Sequence, residues 1–218
     1  MKKIITIMLS FLFVSLQSAN AELGIGISGA LHNLEASGTH TLRQSAATST
    51  ASTDEKVFVG ELFIEAFSPS GHAIGISYTP TREIGNKSRT DTTTSGDAQD
   101  TGTYTAKAEL TDVAQVYAEL VAFETSGISF YGKAGIQHAT IKTLETLNSG
   151  SSFPDKNVFG TTLGLGIKGD LPFASNMYAK LEGTMTDFDD YDATSKAGNT
   201  VKADLESKAA RFSIGYKF

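Results

Sequence analysis

Glu61, Glu65, Glu119 and Glu182, with the cations Lys133, Lys168, Lys180 and Arg211, alternate with apolar residues along the chain, and Lys217 stands at the margin of the set. Charges taken out of water must be paired and hydrogen-bonded to be tolerable. Both signs on one face of strands therefore suggest an interior salt-bridge network, or else a gated path for small ions or solutes. The network is the expectation. His32, His40, His72 and His138 raise the question of hydrolysis, which needs a nucleophile and an acid within hydrogen-bond reach of the imidazole. His138-Ala139-Thr140 offers no such arrangement, and the other three are isolated near segment ends. Each histidine is expected to be exposed and idle, and no enzymatic activity is expected. Asp187, Asp189, Asp190 and Asp192 lack the spacing and glycine of a calcium loop, so they read as a solvated acidic loop, and no metal or cofactor is expected.

The elements that must position these charges alternate with a period of two, which is the signature of strands. Leu23, Ile25, Ile27 and Leu31 oppose Gly24, Gly26, Ser28 and Ala30; Phe58, Leu62, Ile64 and Ala66 oppose Glu61 and Glu65. Ile74, Ile76 and Tyr78 then oppose Ser77, Thr79 and Thr81, and Ala114, Val116, Ala118 and Leu120 oppose Gln115, Tyr117 and Glu119. Ile128, Phe130, Ala134 and Ile136 oppose Lys133 and Gln137, with Tyr131 as an irregularity. Phe159, Leu163, Leu165 and Ile167 oppose four glycines or threonines and Lys168, and Met177, Ala179, Leu181 and Met185 oppose Lys180, Glu182 and Thr184. Short turns are expected at 68–71, 125–127 and 172–176, and long polar loops at about 36–55, 83–102, 146–156 and 187–192. Eight strands joined alternately by short and long connections form an antiparallel up-and-down barrel.

Alternation alone does not say which face points outward. The faces opposite the apolar ones are rich in glycine, serine and threonine, which suit the narrow bore of an eight-stranded barrel. Aromatics gather at segment ends: Phe67, Phe123, Phe130, Phe173, Tyr178, Tyr216 and Phe218 by the short turns, and Phe58, Tyr104, Phe159, Phe188 and Tyr191 by the long loops. Two aromatic belts flanking an apolar band are what a bilayer selects. The apolar faces are therefore expected to meet lipid, and the ring must close because an unpaired backbone amide costs several kcal/mol in hydrocarbon.

In the last strand Phe212, Ile214, Tyr216 and Phe218 share one parity and Arg211, Ser213, Gly215 and Lys217 the other. This ending resembles the C-terminal signature of bacterial outer-membrane β-barrels, a terminal Phe with another aromatic two residues before it. The whole pattern is similar to the opacity-type and OmpX/OmpA-like barrel families. That resemblance implies an integral outer-membrane protein with long surface loops and a structural or surface-interaction role. Outer-membrane lipid and lipopolysaccharide would surround it, and the C-terminal strand would be offered to the barrel-assembly machinery. A narrow porin-like channel for small solutes is the alternative, and a lipid A-modifying enzyme a weaker one.

Residues 1–21 read as a signal peptide and 22–218 as the barrel. Lys2 and Lys3 precede an apolar run to Leu16, and Ala19-Asn20-Ala21 forms a small-residue cleavage site. Loss of the two lysines lowers the basic count from 18 to 16 against 24 acids, moving the formal charge from −6 to −8. An acidic chain argues against nucleic acid as partner. With 0 cysteines, an exported chain has no disulfide framework to rely on.

Overall fold

The computed structural model describes residues 21–41, 43, 46, 48–91, 102–145, 153–195 and 198–218. The expected signal sequence falls outside them apart from Ala21, as do the middles of the second and third surface connections. Nine strand segments follow in order: β1 Glu22–Thr41, β2 Thr48–Phe67, β3 Ala73–Thr79, β4 Arg82–Asp91, β5 Gly102–Thr125, β6 Ile128–Glu145, β7 Lys156–Asp170, β8 Met177–Thr194 and β9 Thr200–Lys217. All pairings are antiparallel, chain neighbours pair except β3 with β4, and β1 pairs β9 to close the ring. β3 and β4 are successive halves of one crossing, and both pair β5. The barrel is therefore eight-stranded, with one crossing broken at Pro80-Thr81.

The apolar parity faces outward. Leu165 is 75% exposed, Ile27 63% and Leu120 63%, and with Ile25, Ile64, Ile136, Leu163, Leu181 and Phe212 they encircle the barrel. Water does not tolerate so continuous an apolar band; hydrocarbon covers it at no cost. Its lower edge carries the stacked pairs Phe123–Phe130 and Tyr216–Phe218, with centroids 4.6 Å and 6.4 Å apart. The tight connection Ser126-Gly127 has positive φ at both residues, as a two-residue hairpin requires.

The surface connections differ from the sequence expectation. The β1–β2 ladder runs on to Thr41↔Thr48, β4–β5 to Asp91↔Gly102 and β8–β9 to Thr194↔Thr200. Much of what reads as long loops at 36–55, 83–102 and 187–192 is ladder standing beyond the apolar band. Above that band both faces of a hairpin can be polar, so alternation fades while the hydrogen bonds continue.

Candidate functional site: a plugged lumen and a seam in its wall

The inward parity places all eight charged residues in the lower bore, none more than 7% exposed. They form two chains in which acids and bases alternate. In the first, Glu61 accepts from Arg211 at 2.8 Å, Arg211 lies 3.7 Å from Glu182, and Glu182 accepts from Lys133 at 2.8 Å. In the second, Glu65 pairs with Lys180, Lys180 donates to Glu119 at 2.8 Å, and Lys168 donates to the other Glu119 oxygen at 2.9 Å. Each chain holds two acids and two bases, so the plug is neutral. Lys168 and Lys180 are direct ladder partners, a repulsive pairing. Glu119, reaching across from β5, holds one ammonium on each oxygen and cancels it. Lys217 lies outside this network and donates to Asp170 at the rim, at 2.7 Å. Phe212, Ile214, Tyr216 and Phe218 lie on β9 and at its end, on the outward parity, the first, third and fourth strongly exposed.

Aromatic rings complete the plug. Tyr117 donates to one Glu65 oxygen at 2.7 Å and Tyr178 to the other at 2.9 Å. The Lys133 ammonium lies 3.8 Å from the centre of the Tyr117 ring, and that of Lys180 lies 4.6 Å from Phe63, contacts that favour a desolvated cation. Four of these rings face a glycine across the ladder: Phe63 and Gly26, Tyr117 and Gly135, Tyr131 and Gly166, Tyr178 and Gly215. A Cβ on Gly26, Gly75, Gly166 or Gly215 would collide with the ring lying over it.

These rings correct the sequence reading. Phe67, Tyr178 and Tyr191, assigned to the membrane belts, are buried inside the barrel, and Phe188 packs against the inner cluster. Tyr131 is not an irregularity; it shares the inward parity of Lys133 and is 2% exposed. Parity carried this information, because Phe67 is in step with Glu61 and Glu65, and Tyr178 with Lys180 and Glu182. Assigning faces by polarity obscured it. Phe58 and Phe159 do face outward, and the Tyr104 side chain lies outside the described residues.

Higher in the bore the chemistry changes. A polar band comes first: Gln115 donates to Thr162 at 2.7 Å, and Thr162 and Thr186 share a hydrogen bond of 2.8 Å. Above it Val113, Ala139, Ile141, Val158, Tyr191 and Ala193 form a second, mainly apolar plug, with Leu110, Phe153, Phe188, Val201, Ala203 and Leu205 packed on it. Between the plugs lies His32, whose Nδ1 is 2.9 Å from the Ser207 hydroxyl and whose Nε2 is 3.7 Å from Glu61. His32 is thus half-buried in the bore rather than exposed as expected, and it shares the inward parity of Ser28 and Ala30. His72 accepts the Val121 amide at 3.0 Å, and His138 donates from Nδ1 to the Asp112 carbonyl at 3.3 Å. No three His, Asp or Glu side chains are grouped to hold a metal ion among the described residues.

The wall beside this compartment is incomplete. β2 pairs β3 only from Leu62↔Tyr78 down to Phe67↔Ala73. Above Leu62, among the described residues, no ladder joins β2 to β4. Extending the register would set Pro80 against Gly60 and Arg82 against Phe58, and Pro80 brings no N–H to the ladder. β5 is irregular at the same height: its register shifts between Thr111 and Ala114, and Asp112 has φ +52°, a conformation that non-glycine residues seldom adopt. The seam starts within the apolar band, where Leu62 and Tyr78 are outward and Phe58 is 70% exposed.

No protein-family model matches the chain, and no curated protein matches it in sequence. Solved structures do match. OprG of Pseudomonas aeruginosa superposes with a TM-score of 0.56 at 14% identity, over 91% of this chain and 96% of that one. Neisserial surface protein A gives 0.48 at 12% identity, over 92% and 100% of the two chains. Ail, the attachment invasion locus protein of Yersinia pestis, gives 0.46 at 11%, again over 92% and 100%. The chain has the fold of the small outer-membrane β-barrels.

Proposed function

We propose that this protein is an integral barrel of the bacterial outer membrane, exported through residues 1–21, with a structural and surface-interaction role carried by the hairpins that stand above the bilayer. The observation that carries this reading is the apolar band around a lumen filled at two levels. Lipid and lipopolysaccharide would clothe the band, and the C-terminal strand, with Phe212, Ile214, Tyr216 and Phe218, would be the element offered to the assembly machinery. No catalytic role is proposed for any residue. Axial, porin-like passage is the weaker reading, because the lower plug leaves no unpaired charge to draw an ion through. Purified protein reconstituted in planar bilayers should give no discrete conductance. Steps of steady conductance would overturn this reading. Shortening the hairpin tips should abolish surface phenotypes while heat-modifiable migration in SDS, the mark of a folded barrel, persists.

The seam favours a second reading, in which small apolar solutes enter the outer half of the lumen and leave sideways into lipid. The lower plug supports this by blocking the axial route, and the apolar upper lumen supports it by matching such a solute. The chain has no cysteine, so Val59→Cys with Thr81→Cys can be oxidised to tie β2 to the upper wall. Uptake of an apolar probe into proteoliposomes should fall on oxidation and recover on reduction; uptake indifferent to the bridge would remove the sideways route.

A further inference from the structure

We propose that the compartment between the two plugs is a binding site for a small amphiphile with an apolar body and a carboxylate head, loaded through the seam. This rests on the sideways reading. Val57 and Val59 of β2, Leu110 and Val113 of β5 and Phe188 of β8 supply the apolar wall, and His32, Arg82 and Gln137 the polar one. Pockets that fix a small molecule have this composition, mostly apolar with a few convergent polar groups.

Charge decides the head group. Arg82 follows the break in the third crossing, and its Nε is buried without an acceptor. A guanidinium is protonated at every physiological pH and has only donors to offer. Glu61, the acid that faces His32 of this compartment at 3.7 Å, is already engaged by Arg211 at 2.8 Å. An incoming carboxylate therefore meets an unanswered donor beside an acid that is already neutralised. An ammonium head would find no comparable partner, and a hydroxyl would answer the donor without its charge.

The space also points to the seam. The enclosed void is about 30 Å³, room for roughly one water molecule. An aliphatic body must therefore take its volume from a movable wall. Most of the enclosing strands are held by ladders on both sides. Upper β2 and β4 are each held on one side only, so the space opens where Pro80 interrupts the wall.

The test uses the full mature chain in lipid nanodiscs, titrated calorimetrically with octanoate and separately with 1-octanol, against empty nanodiscs. Octanoate should bind more tightly than octanol. Arg82→Gln should weaken octanoate roughly ten-fold or more, the scale of a charge-assisted hydrogen bond, and leave octanol unchanged; Arg82→Lys should recover part of the loss. Heat-modifiable migration of each variant controls for folding. The oxidised Val59→Cys, Thr81→Cys barrel should bind neither probe. The head-group site is overturned if octanoate shows no advantage, if neither probe binds, or if Arg82→Gln weakens both equally. The sideways reading is overturned separately if the bridged barrel binds both probes as the reduced one does.

Discussion

The lower and upper halves of one bore are filled by opposite chemistries. Below, two chains of alternating acids and bases are laid against tyrosine and phenylalanine rings; above, aliphatic and aromatic side chains meet as in a soluble core. The lower half is ringed by lipid, so its wall cannot borrow hydrogen bonds from water, and there the ladders are complete all the way round. The upper half runs from within the apolar band out to the aqueous surface, and along it the wall is open between β2 and β4. Where the ladders close, the filling is ionic and geometrically specified. Where the wall is open, the filling is apolar and adaptable. A packed apolar plug accommodates small shifts, whereas an ion network fails as soon as one partner is lost.

Glu119→Gln should sharpen this contrast most. It leaves Lys168 and Lys180 facing each other without their bridging anion, and should lower stability by about 3–5 kcal/mol, the scale for breaking a buried pair. The urea midpoint of unfolding in bilayers would report it; a loss below about 1 kcal/mol would mean that the plug is not an energetic unit. Next in size, Ile141→Ala in the upper plug should cost about 2–4 kcal/mol locally. It should appear as faster amide exchange in β6 and β7 above the band, with little change in the global midpoint. An equal global loss would break the contrast between the halves. Gly75→Val pushes a side chain into the Tyr117 ring and should cost about 1–3 kcal/mol as overpacking, with Tyr117→Ala relieving part of it in the double variant. Smallest of all, Pro80→Ala restores a donor to the wall and should change stability by less than about 1 kcal/mol. Slower amide exchange at Val57 and Phe58 would show the seam closing.

The sequence made the barrel and its ionic filling legible for one reason. Within the bilayer the two faces of a strand meet lipid and bore, and Phe159 to Lys168 or Arg211 to Phe218 spell that difference out residue by residue. The reading failed where the two faces cease to differ. From Ala36 to Thr41 and from Thr48 to Glu55 water and lumen both accept small polar residues, so a continuing ladder looked like a loop. It failed again where one residue type serves both faces. A tyrosine suits a membrane interface and equally a cation-lined bore, so Tyr178 and Tyr191 read as belt residues, although the spacing of Tyr178 from Lys180 sets it on the inward parity. The seam was least accessible: Pro80 is visible in the sequence, but the lost pairing of β2 is a property of two segments together.

The ladder between β1 and β9 unites the first and last strands of the ring, from Gly24↔Lys217 to Thr41↔Thr200, and the amide and carbonyl of Leu23 and Phe218 exchange hydrogen bonds beyond it. Such far-separated pairing is slow to nucleate, and until it forms the chain presents two raw edges ready to join strands of other molecules. The time between delivery of the chain and closure of this last ladder is therefore its period of greatest vulnerability to aggregation. Substitutions along β1 and β9 should then reduce the yield of assembled protein more than they reduce the durability of the finished ring.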